Sequence, residues 1–244
     1  MGIRKLKKAV ASVLCSCVMF VSMITPVQCG VITDTMPAYT DGFAKGYLFE
    51  GVHNWNQCEE ALQNLTPAVT FFHVTTYYEV DRGIVLTPSE TAKIEAEDTA
   101  VKTWVAANIH NMVPDGADYN SAVRDIMTWL RKYVKYDHAD MYNNAYQGAL
   151  TAFSLGKGVC TTYACAFNTL LNYLPFDETG HVNYAAGTQH IPARLVMNET
   201  HAWSMAYVGN QWLYYDPCWY ASTGQAIYMN GNTDRTFGGE RYHL

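Results

Sequence analysis

Hydrophobic positions along this chain recur at two different periods, and the switches between them mark the predicted elements. Residues 30–50 are rich in turn formers and are expected to wrap the surface. A short helix fits 56–64. Residues 68–80 (Ala-Val-Thr-Phe-Phe-His-Val-Thr-Thr-Tyr-Tyr-Glu-Val) are dense in β-branched and aromatic side chains, which predicts a strand. Thr87-Pro88-Ser89-Glu90 then announces a helix: Thr87 can cap it, Pro88 suits its first turn, and Glu90 completes a capping box. That helix should run to about Met112, where Pro114-Asp115-Gly116 breaks it. A second helix is predicted from about Tyr119 to Val134, because Val123, Ile126, Met127, Leu130 and Val134 recur at helical spacing. Its Arg124, Arg131, Lys132 and the following Lys135 form a solvated face.

The third helix brings candidate chemistry. After Gly156-Lys157-Gly158, the residues Cys160, Ala164, Phe167, Leu171 and Leu174 fall on one helical stripe, so Cys160 opens a helix and faces inward. At such a position, unpaired backbone N–H groups and the helix macrodipole favour a thiolate. Glycines ahead of it let the backbone turn sharply and approach a ligand. Cys165, five residues on, points away from the stripe and is expected to be inert.

A proton partner for that sulfur follows from a strand pair. Residues 201–208 alternate like a strand, Gly209-Asn210 is a turn dipeptide, and 211–216 return. With a two-residue loop, Asp216 lies opposite Trp203, on the face that also carries His201. His201 and Asp216 become diagonal neighbours; a three-residue loop would turn Asp216 away. The carboxylate would fix the imidazole while its other nitrogen meets the sulfur. Cys160, His201 and Asp216 are therefore the candidate catalytic set. Oxyanion donors would be the Cys160 backbone N–H and a side chain from Tyr146 or Gln147, with core packing as the alternative for Tyr146. Trp203 would wall the site or pack beside it.

Composition narrows the partners. Of 244 residues, 49% are hydrophobic and only 16% charged, which excludes a disordered tail or a coiled coil. Arg4, Lys5, Lys7 and Lys8 precede an apolar run over 9–24, followed by Pro26 and Cys29 in the order of an export signal. That run is short for a bilayer span, so cleavage near Cys29 and a soluble extracytoplasmic protein are expected. Membrane contact would come only through an uncleaved or lipidated N-terminus. Removing residues 1–29, which hold four basic residues and no acid, takes the formal charge from −6 to −10. Such acidity argues against a nucleic-acid partner. Of the seven cysteines, Cys58, Cys160, Cys165 and Cys218 lie beyond the leader. Their spacing fits no zinc pattern and points to no metal or other cofactor. A single structural bridge, for instance Cys58 with Cys218, stays open at this stage.

The stretches Tyr146-Gln-Gly-Ala-Leu150, Gly156-Lys-Gly-Val-Cys-Thr-Thr-Tyr-Ala164, Thr200-His-Ala-Trp203 and Trp212-Leu-Tyr-Tyr-Asp-Pro217 resemble the core of the bacterial transglutaminase-like superfamily. Tyr133-Val-Lys-Tyr-Asp137 extends the resemblance upstream, so it covers about Asp118 to Trp219. It implies an α+β, papain-like fold with the cysteine helix packed on an antiparallel sheet, and a Cys160–His201–Asp216 triad. The expected organisation is a leader over 1–29, a strand and helix segment over 30–117 integral to the domain, and the catalytic core over 118–244. Thr161 follows the nucleophile, whereas animal cross-linking members have Trp there, and no calcium loop is evident. Cys218 stands where relatives often have Thr. The polar stretch 176–199, with His181 and His190, is longer than the link expected and is a candidate substrate rim; both histidines default to surface roles. With the export signal, the candidate set predicts a secreted thiol enzyme on peptide or protein amides, cell-wall peptides among them, with hydrolysis favoured because nothing in the chain indicates exclusion of water. A catalytically silent binding module and a cross-linking transamidase are the alternatives.

Overall fold

In this computed structural model the described residues are 4–7, 38–41, 44–139, 143, 147–198, 200–231, 236–237 and 240–241. The apolar run over 9–24, Cys15, Cys17, Cys29 and the candidate Tyr146 lie outside them. An antiparallel sheet gathers the N-terminal part in the order β1-β4-β5-β3-β2, from β1 (Arg4–Lys7), β2 (Ala38–Asp41), β3 (Ala44–Glu50), β4 (Thr76–Val80) and β5 (Gly83–Leu86). Residues 38–41 and 44–50, expected to be irregular, are thus strands. β3 pairs on both edges, and Tyr47, Leu48 and Phe49 are consecutively buried. A strand covered on both faces loses the alternation that would reveal it.

The predicted strand over 68–80 is only partly one. Phe71–His73 form a 3-10 turn ahead of β4, capped by the Thr70 hydroxyl, which accepts the Phe72 N–H. The Phe71 N–H donates to the buried Glu59 carboxylate of α1 (Trp55–Leu65) at 2.7 Å. A side chain from elsewhere in the chain therefore takes the hydrogen bond a ladder would have used. Asn54 caps α1 by accepting the Gln57 N–H.

Two apolar cores are joined by α2 (Pro88–Met112), which starts at the predicted Thr87 cap. Ile94 packs into the smaller core with Phe49, Leu62, Phe71 and Leu86. Val101, Val105 and Ile109 enter the larger core with α3 (Tyr119–Tyr133), where Val123, Ile126, Met127 and Leu130 are buried as predicted. Arg124, Arg131, Lys132 and Lys135 are exposed.

The larger core centres on α5 (Cys160–Tyr173), which packs against α3, α4 (Ala149–Leu155) and the sheet β10-β9-β8, formed by β8 (Ala193–Met197), β9 (Ala202–Val208) and β10 (Gln211–Tyr215). The apolar stripe understated this helix. Every residue from Thr161 to Leu171 is buried, because helices cover the sides the sheet leaves open. Two short parallel strands, β6 (Lys135–Tyr136) and β7 (Lys157–Gly158), tie the end of α3 to the glycine loop before Cys160. A further hairpin pairs β11 (Thr236–Phe237) with β12 (Glu240–Arg241).

Cys58, Cys160, Cys165 and Cys218 are all free thiols. The Cys58–Cys218 bridge does not form, since Cys58 lies in the smaller core and Cys218 in the larger one. Met197, near the end of the stretch 176–199, packs in one apolar cluster with Cys160, so that end borders the candidate site, but the first part of the stretch does not. That first part leaves the far end of a 14-residue helix, about 20 Å along the axis. There it folds onto the end of α2: Val182 accepts the Gly116 N–H, and Tyr184 donates to the Val113 carbonyl.

Candidate active site

The backbone before Cys160 is shaped by close approach. A methyl built on Gly158 would lie 2.4 Å from Thr162 Cγ2, so only glycine fits. Gly156 ends α4 in the left-handed region (φ 61°). Thr162 reaches back to accept the Val159 N–H at 3.2 Å, fixing the first turn of α5. Around this loop Asp137 donates its N–H to the Gly158 carbonyl and pairs its carboxylate with Lys157 at 2.7 Å. Cys160 is partly exposed at the helix start, where backbone N–H groups have no intrahelical acceptor.

The hairpin count holds. Gly209 (φ 57°) and Asn210 (φ 64°) both take positive φ, the type I′ geometry, and Val208 pairs with Gln211. Tyr215 faces Ser204, and one step further His201 Nε2 meets Asp216 Oδ2 at 2.7 Å. Asn198 clamps the histidine from below: its Oδ1 accepts the His201 N–H at 2.8 Å, and its own N–H donates to the His201 carbonyl at 2.9 Å. With Nε2 taken by the carboxylate, Nδ1 is the ring nitrogen left for the sulfur of Cys160, to which His201 is hydrogen-bonded.

Asp216 has a second task. Fully buried, it caps α6 (Pro217–Thr223), with Oδ1 accepting the Trp219 N–H at 2.9 Å and Pro217 in the first turn. One carboxylate oxygen is spent on a helix end, which aims the other at the imidazole.

Electrostatics follow from that geometry. Burial alone would lower the His201 pKa, but hydrogen bonds and charge from Asp216 and Cys160 outweigh it and raise it to about 9. The other thiols move the other way from reactivity. Burial, with nearby Glu59 and Glu79, pushes Cys58 up to about 12, and burial raises Cys165 and Cys218 strongly.

The remaining candidates divide. Gln147 is buried beside the Cys160 helix, its Oε1 accepting the hydroxyl of Thr161, the residue after Cys160. Trp203 is in the core; its ring lies parallel to His201 (13°, centroids 6.1 Å) and backs the imidazole from inside. The open side is flanked by Trp219, 41% exposed and edge-on to His201 at 6.1 Å. Asn198 and Trp219 were not singled out from sequence, and Thr161 was noted only as the residue after Cys160, not as a partner of Gln147. The Asn198-Glu-Thr-His201 turn signal could have marked Asn198. His181 is exposed, in a turn built on Asp177.

A cysteine-centred α+β domain whose Cys160 helix packs on an antiparallel sheet is thus the class this fold defines. Residues 105–217 match the family model described as Transglutaminase-like superfamily, so the chain carries a transglutaminase-like superfamily domain. No curated protein matches the sequence. Among solved structures it is similar to one described as a TGase, at 14% identity and TM-score 0.36 over 55% of this chain and 33% of that one. It is also similar to one described as "a Putative Cysteine Protease from Cytophaga hutchinsonii", at 19% identity and TM-score 0.34 over 48% of this chain and 37% of that one. The chain therefore spans about a third of the length of each.

Proposed function

We propose that the protein is an exported thiol hydrolase acting on peptide or protein amides through a Cys160–His201–Asp216 triad. The observation that carries this reading is the hydrogen-bonded line from Asp216 through His201 to Cys160, at the start of a helix in a transglutaminase-like domain. With a pKa near 9, His201 holds a proton at neutral pH, which is the proton a leaving amine needs. The Cys160 sulfur attacks the carbonyl carbon, and the charge on oxygen meets the Cys160 backbone N–H and the Gln147 side-chain amide. The C–N bond breaks as His201 donates to nitrogen, leaving a thioester. Water then gives a proton to His201 as its oxygen attacks the thioester carbon; the C–S bond breaks, the acid is released, and the sulfur returns beside the protonated imidazole as at the start. An amine in place of water would give transfer instead.

Export rests on the basic-then-apolar order of the first 29 residues. Cleavage near Cys29 would remove β1 and leave β4 as the edge of its sheet.

The test is incubation of the purified protein with a peptide library, with and without added primary amine, and mass analysis of products. Hydrolysed fragments absent from a Cys160→Ala control support the reading. Fragments shared with that control defeat it. Amine adducts that outnumber hydrolysis products would replace hydrolysis with transamidation, and an inert wild type would leave the fold as a binding module.

A further inference from the structure

Gln147 is held from two sides. On one, its Oε1 accepts the Thr161 hydroxyl next to Cys160. On the other, the backbone that follows is pressed onto a pair of polar side chains contributed by distant parts of the chain. His73 comes from the 3-10 turn and Glu97 from α2, with His73 Nε2 3.5 Å from Glu97 Oε1. A methyl built on Gly148 would fall 2.5 Å from Glu97 Oε1, 2.8 Å from His73 Cε1 and 3.0 Å from the Ala68 carbonyl oxygen. Gly148 has ordinary extended backbone (φ −103°), so glycine is required here by contact alone. The next residue, Ala149, donates its N–H to that same Ala68 carbonyl at 2.7 Å. Lys93 in turn donates to the His73 carbonyl, tying the turn back to α2.

Such a pair is a poor device for stability. His73 is almost fully buried and Glu97 largely so, and desolvating two ionisable groups offsets most of what their attraction returns. Its distinctive effect is on position. Glu97 and His73 fill the space where a Cβ at residue 148 would sit, which limits movement of this backbone toward them and so helps set where the Gln147 side chain begins, while the Thr161 hydroxyl fixes where it ends.

The geometry points to Glu97 and His73 as a positioning pair that sets the Gln147 amide beside Cys160, so that Gln147 serves as the second oxyanion donor. This rests on the thiol-hydrolase reading above. Neither residue touches substrate; both act through Gly148 and Gln147. A displacement of a few tenths of an ångström at an oxyanion donor weakens it in the transition state more than in the ground state, so the effect belongs in kcat.

The experiment measures kcat and KM on the peptide best cleaved in the library assay, for the wild type, Glu97→Ala, Glu97→Gln, Gln147→Ala and the Glu97→Ala/Gln147→Ala double variant. Gln147→Ala should lower kcat roughly 100-fold. Glu97→Ala should lower it about tenfold with KM within about twofold, and Glu97→Gln, which keeps an oxygen against Gly148, should recover most of that loss. In the Gln147→Ala background, Glu97→Ala should cost nothing further. Wild-type kcat in Glu97→Ala, or a double variant that multiplies the two losses, overturns the proposal. Hydrogen exchange at the Ala149 amide supplies a readout independent of turnover and should speed up about tenfold in Glu97→Ala. If the wild type shows no Cys160-dependent turnover, the hydrolase reading fails. Exchange then decides alone, and unchanged protection at Ala149 overturns the pair's role.

Discussion

Replacing Asp216 by Asn separates the two tasks this residue performs. The Asn side-chain oxygen can still accept the Trp219 N–H and cap α6, while the group facing His201 changes from a carboxylate to a neutral amide. The magnitude follows from the imidazole. Against burial, which lowers it, Asp216 and Cys160 lift His201 from 6.5 to about 9, a net ~3 kcal/mol in favour of the charged form. Because the folded value lies above the unfolded one, this stability is fully present below pH 6.5 and is lost as pH rises through 9. The wild type should therefore lose up to ~3 kcal/mol of unfolding free energy between those limits. In Asp216→Asn, only Cys160 remains to oppose burial, so His201 should titrate below about 7 and the stability slope across this window should flatten. The assay is an NMR titration of the His201 ring in both proteins, with urea unfolding at pH 6, 7.5 and 9. A wild-type His201 that titrates near 6.5, or a variant whose His201 stays near 9, would refute the reasoning.

Two further outcomes are expected. Among the four described cysteines, iodoacetamide added to the native protein at pH 7 should modify Cys160 alone, because Cys58, Cys165 and Cys218 are buried with their thiols pushed up; peptide mapping that finds equal labelling at those three would contradict the burial. Burial also pushes the Glu59 carboxyl up to about 7, only partly opposed by the Phe71 N–H and Gln63, so its contribution to stability declines as pH rises from about 4.5 through 7 by up to ~3 kcal/mol, and Glu59→Gln should flatten that decline in urea unfolding.

Local pattern carried the candidate site a long way. The helix starting at Cys160 was visible because a glycine loop precedes an apolar 3–4 spacing. The His201–Asp216 contact was visible because a two-residue turn fixes the register of every residue behind it. Gln147 was readable only as a neighbour in a motif, since its partner Thr161 is polar, lies next to Cys160 and carries no periodic mark. β3 escaped detection because burial on both faces erased its alternation, and residues 68–73 misled because strand-forming residues were captured by Glu59 from α1.

What the sequence alone determined is everything set by neighbours a few residues apart: the Thr87 cap and length of α2, the turn at Gly209-Asn210, the place of Cys160 at a helix start, and the meeting of His201 with Asp216. Tertiary structure alone decided which buried groups would share an environment. It wrapped α5 on every side, kept Cys58 and Cys218 in separate cores, turned Trp203 inward and left Trp219 at the open edge, and set His73 and Glu97 under Gly148. The physical reason is range: caps, turns and register act through bonds and local hydrogen bonding, whereas desolvation, ion pairing and close packing depend on segments that meet only once the chain has folded.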